Sequence, residues 1–519
     1  MPRNLRAAPP VIYEIFPRAF LDTTGNGIGD LRGVATKLDY IADLGVDAIW
    51  LAPFYPSPLV DAGYDVADHR AVHPDLGTLA DFDALVAAAD ARGLGVLVDL
   101  VLNHTSTLDP RFQAALAGDD AAAAHYVFRD PKPDGSPPNN WMSFFGGPAW
   151  YWSHERSQYY LHQFTSHQPS LDLRNDAVQA DIERTVRFWR DRGVSGFRLD
   201  VVTAYLFDPS LADNPPASPE ARAKIEGPAA SPYAYQDHIH DMLPGDGAAW
   251  TERLRAWAGE DLWLVGECNT GNQSLEVAKA FCAPGRLDAM YTTDMPASAH
   301  RPEAFAPIFE AMEGQDWILP WWFSSHDQPR PASRMPDVPP PQMARFLATI
   351  LCAMPGPLLL YQGEELGLPQ PDLPKDAIDD PFELRFWPDG PGRPGPRVPL
   401  PWTDTPGTYG FTTGQPTLPM NWSPDLAVSH QAADPHSVLG YYRRMLSLRR
   451  AKGFATGQSH QVEQAGEVLS VTFQSGGQRY RAVMNFGPLC EVPPQGAPLL
   501  ETNPGERTLP KMGARIEHL

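Results

Sequence analysis

Short apolar runs recur along the chain at positions 11–16, 47–51, 96–101, 194–199, 262–265, 289–292, 321–324 and 357–361. The stretches between them follow a different period. Leu79, Phe82, Leu85 and Val86 precede Gly93, and Val178, Ile182, Val186 and Trp189 precede Gly193. Apolar spacing of three and four residues, a glycine stop and then a short apolar run is the pattern of a helix feeding a buried strand. Its eightfold recurrence predicts an α/β fold, a closed parallel (β/α)8 TIM barrel. The interval between the third and fourth runs is much the longest. Residues 104–170, rich in Trp, Tyr, Phe, Pro and Gly, predict a loop-rich subdomain inserted after strand 3 and lying over the barrel mouth. Beyond a helical stretch at 438–450, alternating runs at 468–473 and 480–484 flank Ser475-Gly476-Gly477. They predict a small C-terminal antiparallel β domain. The expected organisation is 1–103 and 171–450 as the two parts of the barrel, 104–170 as the insert, and 451–519 as the C-terminal β domain.

The fourth run breaks its own apolar pattern with Arg198 and Asp200. Residues i and i+2 of a strand point to one face, so these opposite charges are expected side by side at the end of a buried strand. An arginine neighbour is expected to hold Asp200 ionised, lowering its pKa by about 1–3 units. Taken alone, the pair reads equally well as a structural ion pair. Other polar residues stand at the ends of other runs: Asn103 and His104 after the third, Glu267 after the fifth, His326 and Asp327 after the seventh. A barrel gathers strand ends around one axis, so Asp200, Glu267 and Asp327 are expected to share a pocket on the C-terminal face. Two long Pro- and Gly-rich connections, 208–232 and 364–402, follow strands and belong to the same face. One ionised and one protonated carboxyl is what glycoside cleavage requires.

A net charge of −22 argues against nucleic acid or an anionic membrane as partner and suits a neutral or cationic ligand. Cys268, Cys282, Cys352 and Cys490 are scattered with no metal or redox spacing, which fits free thiols in a reducing compartment. Cys268, beside Glu267, is expected to be a packed small residue. The first residues lack the apolar segment of a secretion signal, and the stretch 346–361 is broken by Pro355, Gly356 and Pro357, so a cytoplasmic protein without a membrane span is expected. A monomer or weak homo-oligomer is expected.

Asp99-Leu100-Val101-Leu102-Asn103-His104, Gly196-Phe197-Arg198-Leu199-Asp200, Gly266-Glu267 and His326-Asp327 resemble the four signature segments of the α-amylase family of glycoside hydrolases. Ile12-Tyr13-Glu14-Ile15-Phe16-Pro17-Arg18, Gly27-Ile28-Gly29-Asp30-Leu31, Gly63-Tyr64-Asp65-Val66 and Pro399-Leu400-Pro401-Trp402 resemble its bacterial α-glucosidase and oligo-1,6-glucosidase branch. The resemblance implies Asp200 as nucleophile, Glu267 as acid and then base, and Asp327 as a transition-state stabiliser that holds sugar hydroxyls. It implies His104 and His326 as hydroxyl ligands, Arg198 as the partner of Asp200, Tyr64 as a stacking floor and Phe164 as a flanking wall. Asp61 and Arg397 match the pair that closes the pocket around the non-reducing end, which implies exo-action on a small oligosaccharide with no catalytic cofactor.

Asp22, Asn26, Ile28 and Asp30 match a loop that binds calcium or magnesium in relatives, and oxygen ligands at alternate positions suit a hard cation. Thr24 and Asn26 replace the commoner Asn and Asp, so a metal-free turn stands as the alternative. Ser325 replaces an asparagine before the His-Asp pair, and Gln168-Pro169-Ser170-Leu171-Asp172 departs from the familiar Gln-Pro-Asp-Leu-Asn. Both changes put the hydrogen bonds between insert and barrel in doubt. Val201, after the nucleophile, accompanies α-1,6 cleavage in relatives and implies an isomaltose-type substrate. Asp213-Asn214-Pro215-Pro216 resembles enzymes that prefer maltose or sucrose and pulls the other way. Transglucosylation or sucrose isomerisation uses the same carboxylates, and a non-catalytic transporter-accessory relative is a third reading.

Overall fold

The computed structural model of the protein describes residues 3–222, 228, 230–268, 274–293, 300–311 and 319–519. Seven parallel strands form one curled sheet: β1 (Val11–Ile15), β2 (Ala48–Leu51), β3 (Gly95–Leu100), β4 (Gly196–Leu199), β5 (Trp263–Cys268), β6 (Ala289–Thr292) and β7 (Leu358–Tyr361), in the order β7-β1-β2-β3-β4-β5-β6. Each answers to one of the expected apolar runs. The run at 321–324 differs, contributing a single parallel bridge, Trp321 to Leu358. Pro320 has no N–H to give, so pairing starts at Trp321, whose N–H donates to Pro357 O at 2.9 Å. Across the other gap, the Trp322 indole donates to Thr292 O at 2.7 Å.

The strand period of two decides what the barrel encloses. On the inward face lie Ile12, Ala48, Trp50, Leu97, Trp263, Val265, Ala289, Tyr291, Trp322 and Leu359, packed as one buried cluster. On the outward face Tyr13, Ile15, Ile49, Val96, Val98, Phe197, Leu199, Leu264 and Met290 join the main core shared with the helices. Continuing the inward rows brings Glu14, Asp99, Arg198 and Glu267 to the C-terminal ends of their strands. The floor of the barrel is therefore apolar and its mouth charged. At Gly196 only glycine fits, because a Cβ there would sit 2.2 Å from Trp263 O.

The insert carries a three-stranded antiparallel sheet (Phe128–Arg129, Gln158–Leu161, Trp150–Ser153) and two short helices, Pro110–Leu116 and Asp120–Ala123. It is more regular than the loop-rich reading because Asp109 and Asp119 cap those helices, accepting from Arg111 N–H and from Ala121 and Ala122 N–H. Its stem is hydrogen-bonded: Leu171 N–H donates to Asn103 O at 2.9 Å and Thr105 N–H to Pro169 O at 3.2 Å. The departures from Gln-Pro-Asp-Leu-Asn thus leave the junction intact.

The C-terminal sheet has five antiparallel strands: β8 (Gln458–Ala465), β9 (Val468–Ser475), β10 (Gln478–Asn485), β11 (Ala497–Glu501) and β12 (Gly513–His518), in the order β8-β9-β10-β12-β11. The expected hairpin is β9–β10, turned by Gly476 and Gly477 at φ 56° and 75°, the left-handed pair a two-residue turn needs. Edge strand β8 is mostly polar and gave no apolar signal. Among the described residues no helix is long and apolar enough to cross a membrane.

Candidate active site

Arg198 is the hub of the barrel mouth. Its side chain is 1% exposed. Nη1 donates to Asp200 Oδ1 at 2.7 Å and to both oxygens of Asp99 at 3.0 Å, Nη2 to Glu267 Oε2 at 2.5 Å, and Nε to the Tyr291 hydroxyl at 2.9 Å. The guanidinium also lies over the Trp50 ring, 4.9 Å from its centroid. Asp200 and Glu267 thus occupy adjacent corners of one fork, facing the same space.

Arg198 pulls the Asp200 pKa down as expected, but the expected net lowering is corrected. Burial pushes Asp200 well above the ordinary carboxylate range, against the pull of Arg198, and the charges of Glu267 and Asp99 push the same way. Burial likewise raises Glu267, with Arg198 opposing and Asp327 adding to the rise. Burial raises Asp99 too. One cation divided among three buried carboxyls neutralises none of them completely, so the cluster holds protons more tightly than free carboxylates do.

Asp200 lies one residue past β4, its N–H donating to Leu100 O at 3.1 Å. The chain then turns sharply: Val201 has φ 37° and ψ 43°, a left-handed conformation costing a β-branched residue about 1–3 kcal/mol. This turn aims the Val201 N–H at Glu267 Oε2, 3.3 Å away.

Opposite stands Asp327. His326 Nε2 meets Asp327 Oδ2 at 2.9 Å, while Arg397 Nη2 and Arg393 Nε reach Oδ1 at 2.7 and 2.9 Å. Burial alone would raise the Asp327 pKa, but His326, Arg393 and Arg397 together hold it well below the carboxylate range. Asp327 is therefore the permanently ionised acid of the three. The expected Asp61–Arg397 pair is not formed. Asp61 Oδ1 accepts from Arg393 Nη2 at 3.0 Å, and Arg397 pairs instead with Asp327 and with Asp380 at 3.0 Å. The two arginines are four residues apart in one proline-rich loop, and the nearer one in space takes Asp61.

His104 and Tyr64 line the same space. Burial pushes the His104 pKa down to about 3, so its ring is neutral; Nε2 lies 3.1 Å from both Tyr64 O and Gln168 Nε2. Gln168 also donates to Asp61 Oδ2 at 2.9 Å. The Tyr64 ring stacks on His326 at 5.2 Å and its hydroxyl donates to Asp99 at 3.0 Å. Phe164 leans on His104 at 5.3 Å. Ser325, in the place of the usual asparagine, accepts the Asp327 N–H at 3.2 Å. Cys268 is fully buried. Glu14, Asp99, Tyr291, Asp380 and Arg393 were not singled out by sequence reasoning. Asp99 carried the same signal as Arg198, a charge inside an apolar run; Arg393 carried none.

The candidate metal loop lies apart from this mouth. Asp22 Oδ1 accepts N–H from Thr24 and Gly25 at 2.7 and 2.8 Å, and Oδ2 accepts Gly27 N–H at 2.8 Å and the Thr412 hydroxyl at 2.5 Å. Asp30 caps a helix through Gly33 N–H at 2.7 Å and also takes Thr23 N–H at 2.7 Å. Asn26 Oδ1 accepts Ile28 N–H at 2.9 Å. These oxygens already face N–H and O–H donors, which a cation would have to displace. Among the described residues no group of three or more His, Cys, Asp and Glu side chains is placed to hold a metal. The loop is closed by its own hydrogen bonds, so chelator is expected to leave the melting temperature unchanged; a fall restored by calcium would show that the loop binds an ion.

Three carboxyls on one guanidinium, a fourth held ionised by two other arginines and a histidine, and a neutral imidazole in the same mouth form a constellation suited to cleaving an acetal at a sugar's anomeric carbon. Comparison with known proteins agrees. Residues 14–457 match the family model of the alpha amylase catalytic domain. A probable alpha-glucosidase of Rhizobium meliloti (strain 1021) is 41% identical over 488 residues, covering 92% of this chain and 88% of its own. A trehalose-6-phosphate hydrolase of Escherichia coli (strain K12) is 36% identical, covering 87% and 85%. An oligo-1,6-glucosidase of Parageobacillus thermoglucosidasius is 33% identical, covering 85% and 83%. Among solved structures, the alpha-glucosyl transfer enzyme XgtA superposes with a TM-score of 0.92 at 37% identity over 100% of both chains. A trehalulose synthase, MutB, superposes with 0.86 at 29% identity over 98% of this chain and 99% of its own. The chain therefore belongs to the α-amylase family and is a glycoside hydrolase.

Proposed function

We propose that the protein is a retaining, exo-acting α-glucosidase that releases glucose from the non-reducing end of short α-1,6-linked glucosides. The observation that carries this reading is the fork of Arg198, whose two terminal nitrogens hold Asp200 and Glu267 side by side. A carboxyl pair within one sugar's width suits double displacement, whereas inversion needs room for a water between them.

In the first step the Asp200 carboxylate attacks C1 from the face opposite the glycosidic oxygen. The C1–O bond breaks, Glu267 gives its proton to the departing oxygen, and a β-glucosyl ester forms. In the second, Glu267 takes a proton from water, the water oxygen attacks C1, and the ester bond breaks to return Asp200. Two inversions retain the α configuration. The cycle needs Asp200 ionised and the proton on Glu267; burial raises both acids, Asp200 the more, so the pair keeps a proton and the reactive form is the one that carries it on Glu267. Asp327 stays anionic and stabilises the oxocarbenium-like transition state. His104 offers a neutral imidazole to a sugar hydroxyl, and His326 a second donor. Tyr64 packs against one face of the ring and Phe164 flanks it. Arg393 with Asp61, and Arg397 with Asp327, wall off the far end, so only a chain terminus fits.

Phe144, Phe164, Val201, Tyr233 and Met242 line a small hollow with Gln163 and Asp241, and the leaving group would pack at its edge. Val201 projects into it, which supports a preference set by packing against the aglycone. Isomaltose is expected to have a higher kcat/KM than maltose, measured by glucose release; a clear preference for maltose would overturn the linkage assignment. The likeness to an alpha-glucosyl transfer enzyme favours a second reading, glucosyl transfer. A product profile at high sugar concentration separates transfer from hydrolysis.

A further inference from the structure

His326 lies between two carboxylates. Nδ1 is 2.5 Å from Glu14 Oε1, and Nε2 is 2.9 Å from Asp327 Oδ2. A neutral imidazole has one N–H, so it can donate at one nitrogen only. The other nitrogen would then turn its lone pair toward a carboxylate oxygen. Two short contacts to acidic oxygens therefore call for a proton on each ring nitrogen.

The surroundings hold this arrangement in place. The ring is 1% exposed and stacks on Tyr64 at an interplanar angle of 7° and on Phe16 at 2°. Trp50 meets it edge-on at 6.2 Å. Glu14 sits on β1, 1% exposed, and its Oε1 also accepts the His326 N–H at 3.3 Å. Arg397 Nε donates to His326 O at 3.1 Å from the loop beyond β7. Charged groups face the ring from every side: Glu14 from β1, Asp99 from β3, Arg198 from β4, Glu267 from β5, and Asp327, Arg393 and Arg397 from the mouth. Acids outnumber arginines in that set, so a fourth cation lowers the cost of burying them.

We propose that Glu14 is a positioning residue that keeps His326 in its doubly protonated form, its Nδ1–H held by Glu14 and its Nε2–H, which makes no hydrogen bond to the protein, left beside Asp327 for a sugar hydroxyl. The idea rests on the proposed role of His326 in sugar binding. Burial opposes a charge on His326, but Asp327 and Glu14 raise its pKa to about 9. Glu14→Gln keeps the size and a hydrogen bond while removing the charge. The Gln oxygen, which must still accept the His326 N–H, accepts from Nδ1–H as well, so a ring that loses its charge has no proton left on Nε2.

The test is a 1H–13C NMR titration of protein labelled at histidine Cε1, with the His326 signal assigned by its loss in His326→Gln. In the wild type His326 is expected to stay charged up to about pH 9. In Glu14→Gln its midpoint is expected to fall by about 1–3 pH units. The basic limb of kcat/KM should move with it, and KM should rise more than kcat falls. A wild-type His326 that titrates near its ordinary value of about 6.5, or an unmoved midpoint in the variant, overturns the proposal. If Glu14→Gln does not fold, the wild-type titration decides alone. A protein that hydrolyses no α-glucoside yet shows the His326 shift would sink the functional reading and leave only the Glu14–His326 proton coupling standing.

Discussion

Asp200→Asn is expected to lower kcat/KM on α-glucosides by about four orders of magnitude while the fold survives. The amide has the size of the carboxyl, and its oxygen can keep the bond now made to Arg198 Nη1 at 2.7 Å. What disappears is the negative oxygen that must form a bond to C1. Removing that charge also relieves a cluster in which Asp99, Asp200 and Glu267 share one cation. The melting temperature should therefore hold or rise, as expected where a catalytic group is retained at a cost in stability. Steady-state kinetics with a thermal melt reads both outcomes. Loss of activity accompanied by unfolding would assign Asp200 a structural role instead.

Glu267→Gln is expected to cost about 10²–10⁴-fold, and the loss should depend on the leaving group. A nitrophenolate departs without a proton, so aryl glucosides should lose less in the first step than isomaltose. The second step then lacks its base, and the β-glucosyl ester on Asp200 should accumulate. Azide needs no deprotonation, so it should restore turnover and give an α-glucosyl azide. Equal losses on aryl and sugar leaving groups would mean that Glu267 is not the acid. A β-azide would mean that no ester had formed on the opposite face.

Much of this site was legible in the sequence because strand geometry leaves little freedom. Within β4 the period of two turns Arg198 inward, and Asp200 two residues on ends beside it, as the i,i+2 spacing requires. Glu267 and His326 likewise end runs that the barrel gathers around one axis. The pKa of Asp200 was not legible. Its direction depends on Asp99 and Glu267, which reach Arg198 from strands 99 and 69 residues away along the chain. Local sequence shows one cation beside one acid; the barrel supplies two more acids. The choice of Arg393 over Arg397 as partner of Asp61 spans 332 residues and is decided by how a proline-rich loop folds over the mouth. The run at 321–324 pairs through Trp321 alone among its residues, and nothing in its apolar pattern marks that difference. The polar edge strand Gln458–Ala465 pairs through its backbone and shows nothing in its side-chain pattern.

The same limit explains Glu14. It stands in a buried strand as a single charge among apolar neighbours, and only the fold shows that its partner is a histidine 312 residues later. The ion pairs around Asp327 then form a connected set: Glu14 to His326 to Asp327, and Asp327 through Arg393 to Asp61. Glu14 lies in the barrel wall and Asp327 at the mouth.

The most direct check follows the anomeric proton of newly released glucose by 1H NMR, before mutarotation, with isomaltose as substrate. The two-carboxyl displacement requires α-glucose to appear first and β-glucose to follow only as the sugar equilibrates. β-Glucose as the first product would mean a single displacement by water, and Asp200 would not be the nucleophile.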